Sequence, residues 1–360
     1  MKILFNNSIF FFQKNGGISR YFCSIGNEII NLNQNLKIVA PINKNNLLKK
    51  IPKKNKFSFY LKRYPILGIV ERLNNYITDF YSQKYKPDIF HETYYSSYKF
   101  NNSKFRKIIT IYDLIHEKFP NYFLNYKKYY KKHIDNYDHY ICISENTKKD
   151  FMNFYKIPEK KISVIYLAGS HYRETSKKIE LNQINNKYQS KEFFLFVGSR
   201  DKYKNFKLIL ECFKKKKDLQ SYKIVCFGGG NFNKKELDEF KDLKIEHING
   251  DDQTLIDLYK NAICLILPSE YEGFGIPVLE AMELGCPVVS SSADALKEIG
   301  SDAAMYFNPY SVDELYTNLL NVIDNKKKRE EMIIKGVKRS QSFSWKKSAE
   351  QTLELYKSLL

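Results

Sequence analysis

The sequence predicts an α/β protein made of two doubly wound, parallel-sheet domains. Three observations carry this expectation. Short runs rich in Ile, Val, Leu and Phe recur without strict polar alternation, as in strands buried on both faces. Longer amphipathic segments separate those runs, which is the order of βαβ units. And 360 residues, with 43% hydrophobic and 28% charged side chains, are ordinary for two globular domains.

The runs can be taken in order. In the first half KILFNN, LKIVAP, PDIFHE, KIITIYD, HYICIS and KISVIYL read as strands. In the second half FFLFVGS, YKIVCFGGG, IEHING, AICLILPS and PVVSS do so. Between the halves, HYRETSKKIELNQINNKYQSK is polar and aperiodic and reads as a linker over residues 171–191. The predicted domains are therefore residues 1–170 and 192–341, with a closing segment 342–360. No apolar run approaches the ~20 residues of a membrane span. The opening MKILFNNSIFFFQ, broken by two asparagines, reads as a first strand rather than a signal peptide. Six scattered cysteines without a C-x-x-C pair suggest buried free thiols and a reducing, cytoplasmic setting.

Formal charge is +19, and its distribution is informative. Residues 1–170 hold 29 Lys+Arg against 12 Asp+Glu, whereas the rest holds 30 against 28. Either this half meets an anion (a lipid headgroup, a diphosphate or a nucleic acid), or the lysines reflect compositional bias that acids offset only in the second half. The stretch NYFLNYKKYYKKH (residues 121–133) interleaves tyrosines with lysines. It suits an interfacial helix on anionic lipid, a solvated helix whose tyrosines pack on their own domain, or base stacking. No nucleic-acid-binding motif accompanies it, so nucleic acid is not expected as a partner.

The strongest local signal is SEYEGFGIPVLEAMELGCPVVS, residues 269–290. A buried strand precedes it, Pro277 opens a helix and Gly285 stops it. Gly273 and Gly275 let the backbone bend and approach a ligand. The amides of Gly275, Ile276 and Val278, reinforced by the helix dipole, then form an anion site. Glu272 precedes that site and Glu280 lies inside the helix. A phosphate cradle with a carboxylate on either side suits a nucleotide sugar, which has a diphosphate in the middle and hydroxyls at both ends.

That segment resembles the donor-site motif of retaining glycosyltransferases of family 4, which have the GT-B fold. Gly16-Gly17-Ile18-Ser19-Arg20 resembles the glycine loop of their mannosyltransferase-B-like branch. Phe196 to Arg200 with Lys204-Asn205 resembles the diphosphate loop of the second domain. Ser342-Phe343-Ser344-Trp345 resembles the C-terminal crossover that returns to the first domain. The resemblance implies two Rossmann-like domains facing a cleft, with acceptor on the first and donor on the second.

Carried residue by residue, it implies that Glu280 binds the donor ribose and Glu272 a hydroxyl of the transferred sugar. The backbone of Phe274, Gly275 and Ile276 contacts sugar and phosphate. Lys204 and Arg200, with the Gly16-Gly17 loop, neutralise the leaving diphosphate. Ser199 stands where the family has arginine, and Gly228 lies near the expected base site. Tyr112 replaces a family histidine, next to Asp113, which would position the acceptor hydroxyl. A tyrosine can hydrogen-bond a sugar but is no near-neutral base. Arg20 of the glycine loop is implied as a substrate contact, and His91 and Glu92 also point toward the expected cleft; His91 is either a ligand contact or a structural hydrogen-bonding residue.

The implied reaction is front-face hexosyl transfer with retention, in which a donor phosphate oxygen takes the acceptor proton. No cofactor and no metal are expected. The donor is GDP-mannose or a UDP-sugar, and the acceptor is a lipid-linked saccharide of cell-surface polysaccharide assembly. The protein would then be cytoplasmic and peripheral at the inner membrane face. Two other readings stand beside this one: a non-catalytic relative binding nucleotide sugar or anionic lipid, and an epimerase-type relative.

Overall fold

The computed structural model describes residues 1–63, 67–96, 104–123, 134–169, 192–200 and 202–360. The chain divides into two compact units, Met1–Leu167 with Ser344–Leu360, and Ala168–Phe343. The first unit thus closes at Leu167 and resumes at Ser344, where sequence placed the boundaries at 170 and 342. The difference at 342–343 has a cause. Phe343 packs edge-on against Phe274 at 6.1 Å and under Arg339 at 4.9 Å, within the second unit. Ser344 caps the next helix by accepting from Lys347. The predicted linker 171–191 lies outside the described residues, as does most of the 121–133 stretch.

Strand β1 (Lys2–Phe5) begins the first unit. It is followed by β2 (Asn35–Asn43), β3 (Lys56–Tyr60), β4 (Ile89–Glu92), β5 (Arg106–Ile111), β6 (His139–Cys142) and β7 (Ile162–Val164). All pair in parallel in the order β3-β2-β1-β4-β5-β6-β7. Ile3 of β1 lies beside Leu36 of β2 and Ile89 of β4. All three are fully buried, which is why this strand reads as a continuous apolar run.

The second unit repeats the plan. Its strands are β8 (Phe193–Val197), β9 (Lys223–Phe227), β10 (Ile245–Ile248), β11 (Leu265–Leu267), β12 (Val288–Ser291) and β13 (Met305–Phe307). Their order, β10-β9-β8-β11-β12-β13, is the doubly wound order 3-2-1-4-5-6. Helices Phe206–Lys215 and Val312–Asp324 bury Leu208, Ile209, Phe213, Leu315 and Leu319 with Phe194, Ile224, Ile266 and Val289 of the sheet. Strand order reverses between β1 and β4 and between β8 and β11, and ligands of open α/β sheets bind at such points. Strands β3 and β13 were not among the expected runs. KFSFY is half-exposed at a sheet edge and MYF is only three residues long. Among the described residues no helix is long and apolar enough to cross a membrane.

The C-terminal helix Trp345–Ser358 belongs to the first unit, packed on helix Gly17–Asn31. The Trp345 ring lies 6.0 Å from Tyr21, and the Ser348 hydroxyl donates to the Tyr166 carbonyl at 2.6 Å. Its deepest anchor is His91 at the end of β4, which has no exposure. Nδ1 of His91 is 2.6 Å from the Tyr356 hydroxyl and Nε2 is 2.9 Å from Thr110 Oγ1. His91 is therefore not a ligand contact: both ring nitrogens are committed inside the protein. Glu92 beside it is equally buried, accepting from Tyr137 at 2.6 Å and paired with Lys107 at 3.0 Å, so it also does not face a ligand. All six cysteines are free and buried, and burial pushes the Cys23, Cys212 and Cys226 thiols up to about 12.

Burial drives the His91 pKa down to about 3. Below pH ~6.5 the unfolded chain binds a proton there that the folded chain refuses, so stability falls with pH. The loss approaches about 1.4 kcal/mol per pH unit between those two values. His116, lowered to about 4, and His139, also lowered, act with the same sign. Urea unfolding from pH 7 to pH 5 will therefore show falling stability in wild type and a shallower slope in His91→Gln. Tyr356→Phe removes a hydroxyl from a buried imidazole and will cost about 1–3 kcal/mol at pH 7.

Candidate functional site

The loops at the carboxyl ends of β8 and β11 meet at the switch point of the second sheet. The Glu270 amide donates to the Tyr203 carbonyl at 2.8 Å, tying one loop's backbone to the other. This contact sets Lys204 Nζ 2.7 Å from Glu272 Oε1. The same carboxylate oxygen accepts from Ser269 Oγ at 2.7 Å, and Ser291 on β12 in turn holds the Ser269 carbonyl at 2.5 Å. Asn205, in the left-handed region at φ 53°, turns the chain into helix Phe206–Lys215 and donates to the Pro309 carbonyl at 2.6 Å. The Tyr310 hydroxyl donates to Glu270 Oε2 at 2.9 Å. Three loops thus fix one cation against one carboxylate, both only partly buried.

Helix Ile276–Glu283 follows directly, with Gly275 at φ 100° as its N-cap and Pro277 in its first turn. The Val278 amide donates to the Gly275 carbonyl at 2.9 Å. Val278 therefore drops out of the expected anion site, which narrows to the Gly275 and Ile276 amides. Phe274 is buried against Phe343, so only its backbone can serve a ligand. Glu280 is almost fully buried, and its Oε2 accepts from the Tyr259 hydroxyl at 3.0 Å. Tyr259 has no exposed surface and was not anticipated. Its position in Leu255-Ile256-Leu258-Tyr259 reads as an ordinary helix core, and nothing local marks its hydroxyl.

Arg200 departs from expectation. Its guanidinium pairs with Glu236 at 2.6 Å and donates to the Gly228 and Gly230 carbonyls at 3.4 and 3.1 Å. The ring of Phe232 lies 4.8 Å away. Those partners hold the loop after β9 and the capping box of helix Lys234–Phe240, so Arg200 acts there as a loop clamp. Gly228 accepts from this clamp and contacts His247 Nε2 at 3.0 Å. Ser199 lies where the loops after β8 and β9 cross. A Cβ on Gly229 would sit 2.6 Å from the Gly198 carbonyl and 2.9 Å from Ser199 Cα.

The remaining candidates belong to the first unit. Gly16 and Gly17 open helix Gly17–Asn31, where Gln13 Oε1 accepts from the Ser19 amide at 3.2 Å. Gln13, unanticipated, thus takes up a first-turn amide at the place expected to cradle phosphate. Arg20 is half-buried in the first turn of the same helix. Tyr112 is buried edge-on to Tyr21 at 6.0 Å, with its hydroxyl donating to the Thr93 carbonyl at 3.5 Å. Asp113 is half-buried and accepts from the Ile115 amide at 3.1 Å, closing a turn. Tyr112 is therefore a packing residue here, and Asp113 holds a turn. Among the described residues no three metal-ligating side chains come together.

Comparison with known proteins decides the family. The family model for Glycosyltransferase Family 4 matches residues 15–168, and that for Glycosyl transferases group 1 matches residues 177–339. The chain belongs to the family 4 glycosyltransferases. Within them it is similar to O-antigen chain mannosyltransferase B of Escherichia coli, 26% identical over 229 residues, which are 61% of this chain and 60% of that protein. The match to that relative thus spans less than two thirds of its length. Two solved structures share the fold nearly end to end. A glycosyltransferase from Rickettsia africae has a TM-score of 0.75 and 17% identity, covering 99% of this chain and 98% of that one. HepE of Anabaena, in complex with UDP and glucose, has a TM-score of 0.73 and 14% identity, covering 99% and 100%. This glycosyltransferase therefore has the GT-B fold.

The glycine crossing gives a direct test. Gly229 (φ 72°) needs both its left-handed backbone and the absent Cβ, whereas a Cβ on Gly230 (φ 77°) would meet nothing within 4 Å. Gly230→Ala should cost about 1 kcal/mol, the backbone strain alone. Gly229→Ala should cost measurably more in thermal or urea unfolding, because a backbone carbonyl cannot step aside.

Proposed function

We propose that this glycosyltransferase moves a hexose from a nucleotide sugar to a saccharide acceptor, with retention of anomeric configuration. The observation that carries the reading is the Lys204–Glu272 pair, held at the sheet's switch point one turn before the helix that bears Glu280. In this reading Lys204 turns from Glu272 to the diphosphate and stabilises charge as the leaving group departs. Glu272 is then released to accept from a sugar hydroxyl. Glu280, oriented by Tyr259, accepts from the ribose, and the Gly275 and Ile276 amides face phosphate. A phosphate oxygen of the donor takes the acceptor proton, so the protein supplies placement and electrostatics.

The sugar is proposed to be mannose, because similar proteins are named as O-antigen chain mannosyltransferases. The HepE complex with UDP and glucose keeps UDP-sugars in play. The acceptor is proposed to be lipid-linked, bound through the first unit at a cytoplasmic membrane face, in cell-surface polysaccharide synthesis. Diphosphate neutralisation is assigned to Lys204 and backbone amides, so transfer should proceed without divalent metal.

A thermal-shift series with GDP-mannose, UDP-glucose, UDP-GlcNAc and UDP-galactose in EDTA tests this. One donor near 100 times its Kd should raise wild-type stability by about 2.7 kcal/mol and leave Glu280→Ala unmoved. Equal stabilisation of both proteins would place the donor elsewhere. No stabilisation by any donor would leave a relative without turnover.

A further inference from the structure

Helix Leu67–Tyr85 buries polar side chains and exposes a row of apolar ones. Its fully buried side chains are all polar: Asn74, Asn75, Thr78, Asp79 and Ser82. Asn74 donates to the Ile42 carbonyl and accepts from the Ile42 amide, both at 2.7 Å. Asn75 and Thr78 reach Asn7 beyond the end of β1 at 3.2 and 3.1 Å. Tyr81 and Tyr85 pack inward on the core of Leu4, Val39, Phe90 and Phe105, but a second set of apolar side chains points outward. Ile69, Leu73, Tyr76 and Phe80 are between 45% and 65% exposed, and their spacing of four, three and four residues makes one continuous stripe. A surface helix ordinarily does the reverse. Isolated exposed apolar residues need no explanation, but a contiguous stripe marks an interaction site.

Exposed apolar side chains are not confined to the helix. Tyr81 stacks on Phe57 of the edge strand β3 at 5.7 Å, and Phe57 meets Phe59 at 5.8 Å. Phe57 and Tyr81 are half-buried on the core, while Phe59 beside them is 64% exposed, so exposed apolar surface also occurs at the sheet edge. Charge around it is mostly positive. Lys62, Arg63, Arg72, Lys84 and Lys86 are exposed, and the Lys84 ammonium lies 4.7 Å above the Phe80 ring. The two acids of the segment are withdrawn: Asp79 is buried, and Glu71 is half-buried with its carboxyl pushed up by burial.

We infer that this face, Phe59 with Ile69, Leu73, Tyr76 and Phe80 rimmed by Arg72 and Lys84, is the surface by which the first unit docks on an anionic lipid membrane. Aromatic and aliphatic side chains insert at the headgroup boundary while cations meet lipid phosphates. A second copy of the chain fits less well, because face-to-face pairing would oppose like charges. The inference rests on the membrane reading above in one respect, that the acceptor is lipid-linked. It is tested without donor or acceptor, so donor binding can fail while lipid binding stands, and the reverse.

The experiment is flotation of the full chain with vesicles of phosphatidylcholine alone, or with about one-third phosphatidylglycerol. Wild type should float only with the anionic vesicles, and less as salt rises. The exposed-stripe variant Leu73→Ser/Tyr76→Ser/Phe80→Ser and the charge variant Arg72→Glu/Lys84→Glu should each bind roughly tenfold or more weakly. Circular dichroism and the donor thermal shift establish that both variants are folded. Wild type that stays unbound overturns the inference. So does a stripe variant that floats like wild type, which would move lipid binding to another part of the chain. A concentration-dependent dimer dissolved by the stripe variant, without vesicle binding, would assign the face to a second copy.

Discussion

A parallel sheet delivers the carboxyl end of every strand to one edge, and the candidate site depends on that constraint. β8 and β11 are neighbours in space although three helices and two strands separate them in sequence. Because the winding reverses between them, the loops that leave them diverge to opposite faces and open a gap at their origin. The Glu270–Tyr203 backbone bond spans that gap, and Lys204 and Glu272 meet at 2.7 Å as a consequence. The pair holds each side chain in a defined place before a ligand arrives, which is the preorganisation electrostatic stabilisation requires.

Much of this was legible in the sequence because the signals were local. Continuous apolar runs mark strands buried on both faces, and the Gly-Phe-Gly-Ile-Pro turn marks a helix entry in any context. Glu272, Glu280 and Lys204 were found as members of ordered motifs. What could not be read was which polar side chains satisfy one another across long separations. His91 lies at the end of a strand beside the switch point, as a ligand contact would, yet its partners are Thr110 and Tyr356, the latter 265 residues away. Arg200 follows the motif glycine by two residues, and only the third dimension shows Glu236 and Phe232 holding it. Tyr259 and Gln13 failed for the same reason: a core tyrosine and a loop glutamine carry no pattern that reports their bonding.

The charge asymmetry gains a physical form in the same way. Counting lysines identifies the first half as basic. Helix Leu67–Tyr85 shows where apolar surface and cations coincide, because Asn74, Asn75 and Thr78 take the inward places opposite its exposed apolar row. Polar side chains bonded to β2 and to Asn7 fix the helix rotation, and an outward apolar face follows from that anchoring. The two ends of the reading, a lipid-facing first unit and a diphosphate-binding second unit, therefore rest on separate observations.

The central claim is that Lys204 exchanges Glu272 for a diphosphate. Its most direct test is calorimetric titration of UDP and GDP into wild type, Lys204→Met and Lys204→Met/Glu272→Gln. The account predicts that one nucleotide binds wild type and that Lys204→Met weakens it by about tenfold or more, ~1.4 kcal/mol, since an unpaired Glu272 then repels phosphate. The double variant should recover part of the loss. Binding by Lys204→Met as tight as wild type would contradict the account.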